Sequence, residues 1–173
     1  MRILGCVLAG GQSSRFGSDK AAALFAGAPL LVHAIASLRR ICPDVVVAGR
    51  KVAPATCVPD WPRPGLGPLG GLAGALRHAD AHGYDEVLSV PVDVVRLPPD
   101  LLSLLGAAPA YLAALPVVGR WPVATLPTLE VILLSDGSHS MRALAAAIGA
   151  RAFNGGEAIP NINTPEDLAR LAG

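Results

Sequence analysis

The sequence predicts a three-layer α/β domain built on a mostly parallel sheet. Three observations carry that expectation. Short apolar runs with bursts of β-branched residues alternate with helical stretches from end to end. Alanine and leucine dominate the apolar fraction, which suits helices packed on buried strands rather than an all-β domain. No repeat, low-complexity tract or linker interrupts the 173 residues, so residues 1–173 are expected to form one domain.

The elements follow in order. Ile3–Leu8 is an apolar run ending near paired glycines and reads as a buried strand. From Pro29 to Arg40, Leu31, Ile35 and Leu38 recur at helical spacing, and two closing arginines suit the negative end of the helix dipole. Val45–Ala48 is a second strand. Residues 53–66, APATCVPDWPRPGL, hold too many prolines for a helix and leave room for a short strand near Cys57. Pro68 opens a helix to about His82, where Gly83 stops it. Glu86–Val90 is a third strand, closed by Pro91 and Asp93. Pro98-Pro99-Asp100 starts another helix. Tyr111–Val118 is predicted as a strand, Thr128–Leu134 and Ser140–Ile148 as helices, and Arg151–Phe153 as a short strand. Thr164 caps a last helix, with Pro165 in its first position and Glu166 and Asp167 near the positive dipole end. Ligands of such sheets bind beyond the carboxyl ends of the strands, and Gly10-Gly11 and Asp93 both fall on that edge.

Composition excludes several functions. A net charge of +1 and 4% aromatics argue against a nucleic-acid surface. Cys6, Cys42 and Cys57 are an odd set without CxxC spacing, as expected of free thiols in a reducing compartment. Ile3-Leu4-Gly5-Cys6 is no lipoprotein cleavage site, because no apolar stretch precedes it. The uncharged stretch from Leu101 to Gly119 is broken by Gly106, Pro109 and Pro116 and reads as a short helix then a strand, not a membrane span. His78 and His82 stand four apart on a predicted helix but lack a third ligand, so no zinc site is expected. A soluble cytoplasmic protein with neither nucleic acid nor membrane as partner is expected.

The loop after the first strand, LAGGQSSRFGSDKA from Leu8 to Ala21, carries the chemistry. Its glycines let backbone N–H groups approach a ligand closely, and successive N–H groups make an anion-binding nest. Arg15 and Lys20 add cationic donors for phosphate oxygens. The loop is not a Walker A motif, since Ser18 and Asp19 separate Gly17 from the lysine, and it does not fit GxGxxG. Strand, glycine loop and paired cations indicate a nucleotide polyphosphate site; a solvated surface turn is the alternative.

This loop resembles the signature of nucleotidyltransferases with a glycosyltransferase-A-like, Rossmann-like fold. Its double glycine and close Asp-Lys pair are most similar to the molybdenum cofactor guanylyltransferases, the MobA family. Three further stretches resemble that family in order and spacing: GPLGGLAGAL (Gly67–Leu76), PVDVVRLPPDLL (Pro91–Leu102) and NINTPEDL (Asn161–Leu168). The resemblance implies transfer of GMP from GTP to the terminal phosphate of molybdopterin, giving molybdopterin guanine dinucleotide and pyrophosphate. It implies Mg²⁺ held by Asp93, with Lys20 and Arg15 on the triphosphate. Backbone groups of Leu8, Ala9, Gly10 and Gly11 would contact the nucleotide, as would the segment Gly67, Pro68 and Leu69. Asp60 would recognise guanine, and Asn161 and Asn163 would face the reacting phosphates or the pterin. Transient contacts with other proteins of molybdenum cofactor biosynthesis are also implied.

The sequence departs from the family pattern in places. Val92 and Val95 replace a cysteine and a proline of the metal segment. Ala48-Gly49-Arg50 stands where an Asn-Arg pair is usual, which removes a side-chain contact to the base. In GRWPVATL, no Gln or His precedes the proline. Three readings therefore stand beside guanylyl transfer: a cytidylyltransferase on the same pterin, a sugar-phosphate nucleotidyltransferase, and a degenerate binder of nucleotide or cofactor. Base preference and turnover separate them.

Overall fold

A computed structural model describes residues 1–11, 19–154, 159–160, 162 and 164–172. Its main sheet has seven strands in the order β5-β4-β1-β6-β8-β7-β9. These are β1 (Ile3–Leu8), β4 (Val45–Ala48), β5 (Thr56–Val58), β6 (Glu86–Pro91), β7 (Ala110–Leu112), β8 (Leu115–Pro122) and β9 (Arg151–Phe153). Only β8 runs against its neighbours. The mostly parallel α/β fold is the one the sequence predicts.

Helices cover both faces. Leu4, Cys6 and Leu8 of β1 point to one side, into a core with α2 (Gly67–Ala81), α4 (Leu126–Leu134) and α5 (Met141–Ala147). Val7 points to the other side, against α1 (Leu30–Arg39) and α3 (Leu101–Leu105). The period-two alternation of a strand thus feeds two separate apolar layers. Small residues set the distances. A Cβ on Gly5 would lie 2.9 Å from Leu38, and one on Gly74 would lie 2.0 Å from the Pro59 carbonyl oxygen. Helices α1 and α2 could not pack this closely on larger side chains.

The elements differ from expectation in four places. The single strand predicted over Tyr111–Val118 is two antiparallel strands, β7 and β8, joined at Ala113-Ala114. Two alanines carry no turn signal, so the break is invisible in a continuous apolar run. Strand β8 also runs on to Pro122, past Gly119. A small hairpin, β2 (Leu24–Phe25) with β3 (Ala28–Pro29), turns at Ala26 and Gly27 at positive φ and was not expected. Helix α4 begins at Leu126, ahead of the expected Thr128.

The reversed strand is pinned by a buried ion pair. Arg120 on β8 donates to Glu86 Oε2 on β6 through Nε (2.9 Å) and Nη2 (2.7 Å), and through Nη1 to the Gly106 carbonyl that ends α3. Both side chains are about a tenth exposed or less. Removing one partner leaves the other charged in a poor dielectric. We expect Glu86→Ala to lose about 3 kcal/mol, read as a fall in Tm of roughly 6–12 °C. Pairing it with Arg120→Met should restore part of the loss in the same melting experiment.

The three cysteines are free thiols. Burial pushes Cys6 and Cys42 up to about 12, so neither forms a thiolate at neutral pH. His78 and His82 stack at 4.0 Å on α2. No helix among the described residues is long and apolar enough to cross a membrane.

Candidate active site

Four strand ends stand at one level. Val58 of β5 is in register with Ala48 of β4, Ala48 with Leu8 of β1, and Leu8 with Pro91 of β6. The ladder runs one step further, with Ala9 N–H donating to the Ala48 carbonyl (2.9 Å) and Val92 N–H to the Leu8 carbonyl (3.1 Å). Pro59-Asp60, Gly49-Arg50, Gly10-Gly11 and Asp93 therefore leave the sheet side by side. Only parallel pairing brings segments this distant in sequence to one edge.

A cavity of about 520 Å³ opens there. Leu8, Gly10, Gly11, Asp60, Gly67 and Pro68 of the expected set line it, together with Ala48, Gly49, Gly65 and Gly71. A second cavity of about 550 Å³ shares Gly10, Gly11, Gly49, Asp60 and Gly65 and reaches Arg50, Lys51 and Cys57. Two expected residues do not line either cavity. Ala9 is buried and its N–H is committed to the sheet, while Leu69 is fully buried in the core. Arg15, Asn161 and Asn163 lie outside the described residues.

Gly49 was read as a missing side chain, and the structure gives a reason for its absence. Its φ is +81°, and a Cβ there would fall 2.4 Å from both N and Cα of Gly10. The loops after β1 and β4 touch backbone to backbone, which an asparagine at 49 would prevent. Asp60 faces the same corner. Burial raises its carboxyl above the ordinary carboxylate range, partly offset by a hydrogen bond from the Gly49 backbone, and its Oδ1 is buried without a partner among the described residues.

The cation and the carboxylate of the expected site meet. Lys20 Nζ donates to Asp93 Oδ2 at 2.9 Å, with both side chains less than a fifth exposed. Lys20 opens a 3-10 turn, Lys20–Ala22, capped by Asp19, whose Oδ1 accepts the Ala21 N–H at 3.2 Å. Asp93 sits in a tight turn, where Val94 N–H donates to the Pro91 carbonyl at 3.2 Å. The flanking Val92 and Val95 are buried, which accounts for apolar residues at both departures. Asp93 Oδ1 is buried and has no hydrogen-bond partner among the described residues.

That orphaned oxygen suits a hard cation. No group of three His, Cys, Asp or Glu occurs among the described residues. Mg²⁺ commonly takes only one or two carboxylates and completes its shell with phosphates and waters. The residues present therefore fit Mg²⁺ brought with a nucleotide. The C-terminal motif reaches the same place, since Ile162 N–H donates to the Asp93 carbonyl at 2.9 Å. Ile162 is fully buried with Phe25, Leu30 and Val95. Just beyond, Thr164 and Asp167 exchange hydrogen bonds of 3.0 and 3.2 Å that cap α6 (Pro165–Ala172).

One contact was missed in the sequence. Arg50 donates through both terminal nitrogens to the Asp19 carboxylate, at 2.7 Å for Nη1. Nothing in the spacing of residues 19 and 50 signals it; it follows from β1 and β4 ending together.

Fold and site together define a nucleotidyltransferase-like domain. Molybdopterin-guanine dinucleotide biosynthesis protein A from Archaeoglobus fulgidus superposes with a TM-score of 0.73 at 18% identity, covering 96% of this chain and 95% of that one. The 2-C-methyl-D-erythritol 4-phosphate cytidylyltransferase of Thermus thermophilus has the same fold (TM-score 0.62, 16% identity, 96% of each chain). The family model of the MobA-like NTP transferase domain matches residues 5–154, and the chain belongs to that family. Curated molybdenum cofactor guanylyltransferases are similar along nearly the whole chain. That of Rhodobacter capsulatus is 34% identical over 98% of this chain and 95% of its own. That of Acidiphilium cryptum is 37% identical over 94% and 90%.

The contact of the two loops is testable. Gly49→Ala adds a Cβ both at unfavourable φ and against Gly10, and should cost about 3 kcal/mol. A thermal melt should show Tm lowered by roughly 6–12 °C.

Proposed function

We propose that this protein transfers GMP from GTP to the phosphate of molybdopterin, releasing pyrophosphate. One observation carries the chemistry: the Lys20–Asp93 pair, with a buried carboxylate oxygen that has no partner among the described residues, stands at the same sheet edge as the glycine-lined cavity without lining it. The names of relatives over 30% identical along nearly the full chain supply the acceptor and the base.

The attacking group is a phosphate monoester, largely dianionic at neutral pH, so no general base is required. The bond from its oxygen to the α-phosphorus forms as the bond to the pyrophosphate oxygen breaks. What remains for the protein is to align two anions and balance charge on the leaving group. Gly10 and Gly11 bring backbone close to the nucleotide, where a larger residue would stand off. Lys20 is held as a fixed cation and, with Arg15, steadies the phosphates. Asp93 would hold Mg²⁺, which when bound neutralises phosphate charge. Gly67 and Pro68 bound the nucleotide cavity at the start of α2. Asp60 accepts from the guanine N1–H and exocyclic amine, both donors that cytosine does not present in that arrangement. Asn161 and Asn163 are assigned to the reacting phosphates or the pterin. Residues 1–173 act as one nucleotidyltransferase domain, and the three free thiols fit a reducing, cytoplasmic setting.

The test is an incubation with molybdopterin, Mg²⁺ and either GTP or CTP, followed by chromatography of the product. Dinucleotide from GTP, and little from CTP, is expected. Asp93→Asn should lower the rate by about 10²–10³-fold. Product from CTP alone would overturn the base, and no product from either would overturn the acceptor.

Asp60 gives the reading a pH signature. Only the ionised carboxylate accepts both guanine donors, and its pKa in the folded chain is raised. GTP affinity should therefore fall on acidification at a pH above the ordinary carboxylate range. Asp60→Asn should weaken GTP by about tenfold or more and abolish that dependence in a calorimetric titration.

A further inference from the structure

We infer that Arg50 is a positioning residue: through Asp19 it fixes the turn that delivers Lys20 to Asp93. This rests on the reading of Lys20 and Asp93 given above. The contacts form a relay. Arg50 leaves β4 immediately after Gly49, whose backbone is wedged against Gly10. Its guanidinium forks onto both oxygens of Asp19. The same Asp19 Oδ1 accepts the Ala21 N–H, and its carbonyl accepts the Ala22 N–H at 3.1 Å, closing the Lys20–Ala22 turn. Lys20 then reaches Asp93 across the edge.

Two features separate this from an incidental surface pair. The Arg50 side chain is only 26% exposed, and its Nε is buried without a partner among the described residues. The fork reaches both oxygens of Asp19 from a side chain that is mostly buried. The arrangement also needs a planar fork, which lysine lacks. Asp19 itself is about half exposed, so the pair adds little to global stability. Its consequence is geometric. Fixing Asp19 from the end of β4 ties the start of the Lys20 turn to the sheet, and misplacing a catalytic cation by an ångström is costly to turnover.

Hydrogen exchange and steady-state kinetics test this on the full chain. In nucleotide-free protein, Arg50→Ala should speed exchange of the Ala21 and Ala22 amides about tenfold while Tm stays within a few degrees. In guanylyl transfer, Arg50→Ala and Asp19→Asn should each lower kcat about 10- to 100-fold, with KM for GTP within threefold. The double variant should be no slower than the slower single one, because both break the same link. Arg50→Lys should recover part of both effects. Unchanged exchange at Ala21 and Ala22 would overturn the proposal. So would multiplied losses in the double variant, or a rise in KM with kcat intact, which would make Arg50 a nucleotide ligand. If the wild-type chain transfers no GMP, the functional reading falls, and the exchange experiment still decides the role of Arg50.

Discussion

The rest of the structure depends on the register of four parallel strands. Val58, Ala48, Leu8 and Pro91 form one rung, and Asp60, Arg50, Gly10 and Asp93 each lie two residues beyond it. Parallel ladders are specified by burial on both faces, because a slip of one residue would exchange the two apolar layers. Here those layers differ. One holds α2, α4 and α5; the other holds α1 and α3. The cores that stabilise the sheet therefore also set the level at which the glycine loop, Asp60, Arg50 and Asp93 emerge.

Beyond that rung, the site is assembled from backbone contact and paired charge rather than from a dense cluster of side chains. Gly10 and Gly49 approach so closely that no side chain fits between them. Lys20 and Asp93, 73 positions apart, share a largely buried ion pair. A buried pair contributes little net stability, since desolvation offsets the attraction. Its value lies in holding a cation and a carboxylate in fixed positions before substrate arrives, which is the form of preorganisation that phosphoryl chemistry rewards.

The far side of the sheet follows a different logic. Strand β8 reverses direction beside β6, and the cost of that interruption to a parallel sheet is carried by specific polar contacts. Arg120 bridges Glu86 and Gly106, and Trp121 Nε1 donates to Ser89, whose hydroxyl in turn donates to the Val117 carbonyl. Every buried polar group in this strip has a partner in a neighbouring strand or helix end, so the reversal introduces no unpaired charge.

Much of this was legible in the linear sequence. Strong periodic runs located β1, α1, β4, α2, β6 and β9, because hydrophobic period and Gly/Pro punctuation are local properties. The glycine-rich loop with its cations was legible as a phosphate site from its residue types, whereas the role expected of Asp93 came from the resemblance of its segment to the family motif. The β7–β8 hairpin was not, since Ala113-Ala114 carries no turn signature and the run is apolar throughout. Nor was the assignment of Leu69 to the core, the reason for Gly49, or the Arg50–Asp19 link. These depend on which strands become neighbours and how closely two loops approach. The sequence by itself determined most of the elements, the class of fold and the residues able to handle phosphate. Tertiary structure alone decided which of them meet, because strand order and register are settled by packing between segments distant in the chain, and no local pattern encodes that distance.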